Sequence, residues 1–185
     1  LALVGVANAE SEPAWTIEGI PAEHAIRGLE GVTLLVENGE RTGAILTDVF
    51  GFSETARDGS LIRYKTDALM GNTVDIRSAG GFLPARMGTG SVHHVAFRAA
   101  DDQAQAEMVK KLRENHGIHP TEQKDRNYFR SVYFREPGGI LFEIATDEPG
   151  FAVDEPKTSL GRDLKLPKFL EGRRGEIEAV LPVLD

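Results

Sequence analysis

The stretch DRNYFRSVYFREPGGILFEIA, residues 125–145, reads as two strands around a turn. Pro137, Gly138 and Gly139 supply the turn, and β-branched and aromatic side chains fill both flanks. Side chains of a strand alternate between its two faces. Ile140, Phe142 and Ile144 therefore form one apolar face suited to packing on a helix, while Leu141, Glu143 and Ala145 look the opposite way. In the preceding strand Val132 and Phe134 belong with the core, and Ser131, Tyr133 and Arg135 with the other, concave side. Glu143 is thus an acid set between Phe142 and Ile144, costly if buried without a partner or a metal. A solvent-facing position on a one-sided sheet, or a salt bridge to Arg126 or Arg135, would also account for it.

Outward from this hairpin, residues 91–98 read as a further strand, with His94, Ala96 and Arg98 on one face and His93, Val95 and Phe97 on the other. Residues 101–116 read as a helix, with Ala104, Met108, Val109 and Leu112 at helical spacing, an aspartate N-cap and Gly117 as the stop. With a strand at 122–126, the unit is β-α-β-β-β. The same order appears upstream: a strand at 31–37, a helix at 40–50, and strands at 52–56, 61–66 and 73–77. The chain therefore reads as α+β, two β-α-β-β-β modules forming a curved mixed sheet. Residues 28–90 form the first module, 91–148 the second, and 149–185 a wrapping tail with a helix at 171–181 between prolines. Residues 10–27 form a connector in which Trp15 and Ile17 are expected to dock.

The composition narrows the function classes. The 185 residues carry 21 Lys plus Arg against 29 Asp plus Glu, a formal charge of -8 that repels nucleic acid and anionic membrane surfaces. Zero cysteines exclude disulfides, zinc-thiolate sites and Cys nucleophiles, so a metal here needs His and carboxylate ligands. No apolar run approaches the ~20 residues of a bilayer span. Residues 1–9 imitate the end of a signal peptide but lack a basic n-region and an initiator Met, and read instead as a strand within a longer protein. His94, Tyr133 and Glu143 share one surface by parity. His94 taken alone reads first as a satisfied histidine at a strand start, His93 faces away unless a bulge re-aims it, and His24, His116 and His119 read as surface residues.

SVHHVAF at 91–97, the 125–145 stretch and the paired modules resemble the vicinal oxygen chelate superfamily of glyoxalases, bleomycin-resistance proteins and dioxygenases, in particular its ring-cleaving branch similar to hydroquinone 1,2-dioxygenases. The resemblance covers residues 20–185 and corresponds to the C-terminal half of such proteins. It implies Fe(II) held by two His and one Glu, with His94 and Glu143 as metal ligands, Tyr133 and Arg126 contacting or polarising the substrate, and His93 supporting the site. Two imidazoles and a carboxylate on one face of an octahedral iron leave adjacent positions for a phenolate oxygen and dioxygen. The partners implied are a small aromatic substrate and O2, with no nucleic acid and no membrane, in a cytoplasmic enzyme.

The first module departs from the pattern. Aligning the repeats sets Gly31 opposite His94 and Asp75 opposite Glu143, so the module offers no histidine. The third ligand is then expected from a preceding N-terminal module, with residues 1–9 as the last strand of an intervening one. By itself the chain is expected to bind iron weakly and to lack turnover, and its open sheet edge suits a homo-oligomer. Two other functions compete: a metal-free binding module of the bleomycin-resistance kind, and a glyoxalase-type isomerase in which Asp75 would serve as a ligand.

Overall fold

The computed structural model describes residues 1–81 and 87–182, so residues 82–86 of the connection between the modules and the last residues of the tail lie outside the described residues. The first module runs β1 (Gly31–Val36), α1 (Glu40–Asp48), β2 (Ser53–Asp58), β3 (Leu61–Lys65) and β4 (Thr73–Ser78). The second runs β5 (Val95–Ala99), α2 (Asp102–His116), β6 (Lys124–Asp125), β7 (Arg130–Arg135) and β8 (Leu141–Thr146). Each module folds into its own four-stranded mixed sheet, ordered β1-β4-β3-β2 and β5-β8-β7-β6. The first strand of each pairs in parallel with the last, and the remaining pairs are antiparallel.

Alternation in the strands matches the expected faces. Val132, Phe134, Phe142 and Ile144 are buried, as are Leu34, Val36, Ile62, Tyr64, Val74 and Ile76 in the first sheet. Helix α2 starts at Asp101, whose side chain accepts from the Ala104 amide at 2.8 Å. It stops at Gly117, whose φ of 65° is the left-handed geometry glycine adopts without strain. The modules share a core: Phe50, just after α1, stacks on Phe97 of β5 at 4.0 Å between centroids, and Phe97 in turn lies 4.9 Å from Phe142. Fully burying one such aromatic ring contributes about 1.5–3 kcal/mol, so the contact stabilises the seam between the two modules.

Two polar staples reinforce that seam. Glu136, 2% accessible at the β7-β8 turn, accepts from Thr42 Oγ1 of α1 at 2.5 Å and from the amides of Gly138 and Ile140 at 2.8 Å each. Asp48, at the end of α1, accepts from Asn115 at 2.9 Å and lies 3.0 Å from His116 Nε2. His116 is therefore half-buried between the modules, not the surface residue the sequence suggests, because α2 ends against α1.

Other departures have local causes. Strand β5 begins at Val95, not 91, paired with Phe142, and β8 begins only one residue earlier, at Leu141, so it offers nothing opposite residues 91–93. The strand expected at 122–126 shrinks to two residues at the sheet edge. The tail helix at 171–181 is a 3-10 turn over Lys168–Arg173 followed by α3 (Arg174–Glu178), fixed by Arg174 to Glu171 at 2.8 Å and Glu178 at 3.1 Å. Residues 1–8 form no strand here, with Leu1, Leu3 and Val4 exposed. Trp15 and Ile17 do not dock: they are 80% and 56% exposed, and Arg27 ties their segment together through the carbonyls of Glu10, Glu12 and Ala22 instead.

Thr42→Val should cost about 1.5–3 kcal/mol in urea denaturation, because it removes a hydrogen bond to a buried carboxylate. A second outcome concerns acid. Hydrogen bonds from Asn115 and then His116 hold the Asp48 carboxyl below its ordinary 3.8. The unfolded chain then takes up that proton first, so the stabilisation is complete above about pH 5 and is lost as pH falls through the lowered value. Asp48→Asn should flatten the acid limb of a stability-versus-pH curve.

Candidate metal centre

Glu143 sits in the middle of β8, turned away from the core formed by Phe142 and Ile144, and yet is 3% accessible. Its burial is compensated by neighbours. Ser131 Oγ and Tyr133 Oη, both on the adjacent strand β7, donate to Oε1, the latter at 3.0 Å. Cross-strand register explains the placement, since Tyr133 pairs directly with Glu143 and Ser131 with Ala145, so both side chains fall on the same face. The other oxygen, Oε2, lies 2.8 Å from His94 Nε2. Neither salt bridge considered from sequence forms: Arg135 donates to the Gly139 carbonyl at 2.7 Å, and Arg126 reaches Tyr133.

His94 immediately precedes β5 and is about one third exposed, so part of its ring is open to solvent. Its ring stands perpendicular to that of Tyr133, centroids 6.2 Å apart. His93 lies in the same irregular segment, where strand parity does not apply, and its Nδ1 is 2.9 Å from His94 Nδ1. One of those two nitrogens must donate and the other accept. While His94 donates from Nε2 to Glu143, a neutral His94 accepts from His93. If Nε2 gives up its proton to serve as a ligand, Nδ1 carries it and His93 becomes the acceptor. His93 can thus support either tautomer of its neighbour.

Arg126 completes the group. Its guanidinium lies 5.3 Å from the Tyr133 ring centroid, and its Nε donates to the Tyr133 hydroxyl oxygen at 3.3 Å. A cation donating to a phenol oxygen makes the phenol a stronger donor in its own right. His93, His94, Arg126, Tyr133 and Glu143 are therefore brought together. Sequence reasoning missed Ser131 as a member, although its parity had put it on the correct face.

The donor set suits one small cation. Two adjacent ligands of an octahedral ion with bonds of about 2.1 Å lie about 3 Å apart, close to the 2.8 Å between His94 Nε2 and Glu143 Oε2. An imidazole and a carboxylate are also the ligand types that non-haem iron sites use. Among the described residues no group of three or more His, Asp, Glu or Cys side chains gathers, so the pair is not a complete ligand set. Two surface hollows, of about 500 and 480 Å³, lie between α2 and Gln123 and between Tyr128 and the tail at Phe151. Neither is lined by His94, Tyr133 or Glu143.

The equivalent place in the first module is closed. Asp75 on β4 occupies the register of Glu143, but Arg63 grips both its oxygens, each at 2.8 Å. A Cβ at Gly31 would overlap the carbonyl oxygen of Thr73, so the position opposite His94 has no room for any side chain.

Comparison with known proteins agrees with this architecture. The family model of the Glyoxalase/Bleomycin resistance protein/Dioxygenase superfamily matches residues 28–144. The chain is 43% identical over 176 residues to MhqE of Bacillus subtilis strain 168, named as a candidate ring-cleaving dioxygenase, covering 92% of this chain and 55% of that protein. It is 31% identical over 173 residues to a chlorohydroquinone/hydroquinone 1,2-dioxygenase of Sphingobium indicum, covering 92% and 53%. A crystal structure of a candidate dioxygenase from Bacillus subtilis superposes with a TM-score of 0.85 at 39% identity, over 93% of this chain and 55% of that one. The chain thus spans about half the length of the curated relatives it matches. Two β-α-β-β-β modules, a match over both of them, and relatives of this similarity leave one conclusion: the chain belongs to the Glyoxalase/Bleomycin resistance protein/Dioxygenase superfamily.

Proposed function

We propose that this chain is the C-terminal half of a cytoplasmic, non-haem Fe(II)-dependent ring-cleaving dioxygenase that opens hydroquinone-like dihydroxylated aromatic rings with O2. The observation that carries the reading is the 2.8 Å approach of His94 Nε2 to Glu143 Oε2, beside the Tyr133 hydroxyl and the Arg126 guanidinium. On this reading His94 and Glu143 hold the iron, and the third ligand is a His of the preceding half. The names of the similar proteins, ring-cleaving and hydroquinone dioxygenases, support the substrate class.

Bound there, the iron supplies a Lewis acid for a phenolic oxygen and a redox partner for dioxygen. The remaining work falls to the chain. Glu143 and His94 set one side of the centre. Tyr133 presents a hydroxyl that can turn from Glu143 to a negative oxygen on the substrate, and Arg126, holding the Tyr133 oxygen, supplies positive charge where electron density accumulates. His93 fixes the His94 ring and can take or return a proton at its own Nδ1.

A glyoxalase-type isomerase would need Asp75 or its neighbourhood as a further ligand, and Arg63 already occupies both Asp75 oxygens. A metal-free binding module would use His94 only as a donor that satisfies the buried Glu143 carboxylate, and would take up no Fe(II).

Anaerobic Fe(II) titration of the full-length protein followed by oxygen uptake with hydroquinone tests the proposal, and consumption of neither would leave the binding module. His94→Ala or Glu143→Ala should abolish iron retention, whereas Tyr133→Phe should keep iron and lower the rate by about 10²–10³. Unchanged iron in both ligand variants would discard the assignment. Asp75→Ala should leave iron content unaltered. Gly31→His should lower the melting temperature without adding a second equivalent of metal, as measured by elemental analysis.

A further inference from the structure

Glu143 and Asp75 hold the same register position in the two modules, yet their carboxylates are engaged differently. Arg63 binds Asp75 through both oxygens, Nε to Oδ1 and Nη2 to Oδ2, and leaves neither open. In the second module Tyr133 replaces Arg63 in register, and Ser131 stands where the first module has Leu61. Two hydroxyls then converge on a single oxygen, Oε1, while Oε2 faces His94 alone. Ser131 is fully buried, and among the described residues its hydroxyl has one partner, the Glu143 carboxylate. A buried hydroxyl without a partner would be costly, so Ser131 is committed to that bond.

We propose that Ser131 is a positioning residue that keeps Glu143 a one-oxygen ligand. An oxygen that already accepts two hydrogen bonds has its lone pairs directed at donors and is a poor second ligand. The carboxylate therefore offers a cation Oε2 only. This matters to a centre that must leave neighbouring coordination positions open for two exogenous molecules, because a carboxylate gripping with both oxygens would fill one of them. Tyr133 alone cannot guarantee this if its hydroxyl turns toward substrate during the reaction. Ser131, sealed beneath it, makes no other side-chain hydrogen bond among the described residues, so it keeps one lone pair of Oε1 occupied and its direction fixed throughout.

The inference rests on the metal reading above, and its test separates the two. In full-length protein loaded with Co(II), calorimetry measures the metal affinity, and azide titration followed by visible absorption measures how readily an exogenous ligand enters. Ser131→Ala should hold Co(II) within about threefold of the parent or more tightly, and bind azide about tenfold more weakly, while Ser131→Thr restores azide affinity. If the alanine variant does not fold, Ser131→Cys, with its feeble donor, should show the same azide loss. Azide affinity unchanged by the loss of the hydroxyl would overturn the role of Ser131 and leave the centre standing. Loss of Co(II) as complete as in Glu143→Ala would also overturn it, showing that the hydroxyl only holds the side chain in place. A parent protein that takes up no Co(II) would remove the metal reading and this proposal together.

Discussion

An ionisable carboxylate almost sealed from water in the middle of a strand is the constraint around which the second module is arranged. Glu143 is 3% accessible, and such a group is tolerated only when each oxygen meets a donor or a cation. The structure answers with three side chains from two neighbouring segments: Ser131 and Tyr133 from β7 and His94 from the approach to β5. Register fixes the first two, because strand pairing decides which residues stand beside the acid. The third depends on the parallel pairing of β5 with β8, which delivers His94 to the same face as the chain enters the sheet.

Much of this was legible in the sequence because strand parity is a strong rule wherever one face is buried. The alternation through residues 130–146 sorted core from concave residues correctly and put His94, Tyr133 and Glu143 on one surface. Parity failed at His93, since the ladder does not extend that far and an irregular segment obeys no two-residue period. It could not rank Ser131 above any other small polar residue either. Its importance comes from a cross-strand contact that only the register reveals. The two seam staples were equally hidden, for they join residues 94 and 68 positions apart in the chain.

The modules show how one fold is specialised in opposite directions. With the same strand order and the same acidic position, the first turns its carboxylate into half of an ion pair and brings its backbone too close at Gly31 for any side chain. The second leaves one oxygen to an imidazole. The difference lies in the residue across the ladder: a guanidinium takes both oxygens, two hydroxyls take one. Family membership alone does not say which of these dressings a module wears.

The link between Thr42 and Glu136 gives the first module a part in shaping the second. Glu136 organises the tip of the hairpin whose two arms carry Ser131, Tyr133 and Glu143, and its outer contact is a hydroxyl on α1. The first module thereby serves as the anvil on which the hairpin carrying Glu143 is shaped. Anyone transplanting that hairpin into another scaffold would have to carry over a threonine from a helix that never approaches the centre.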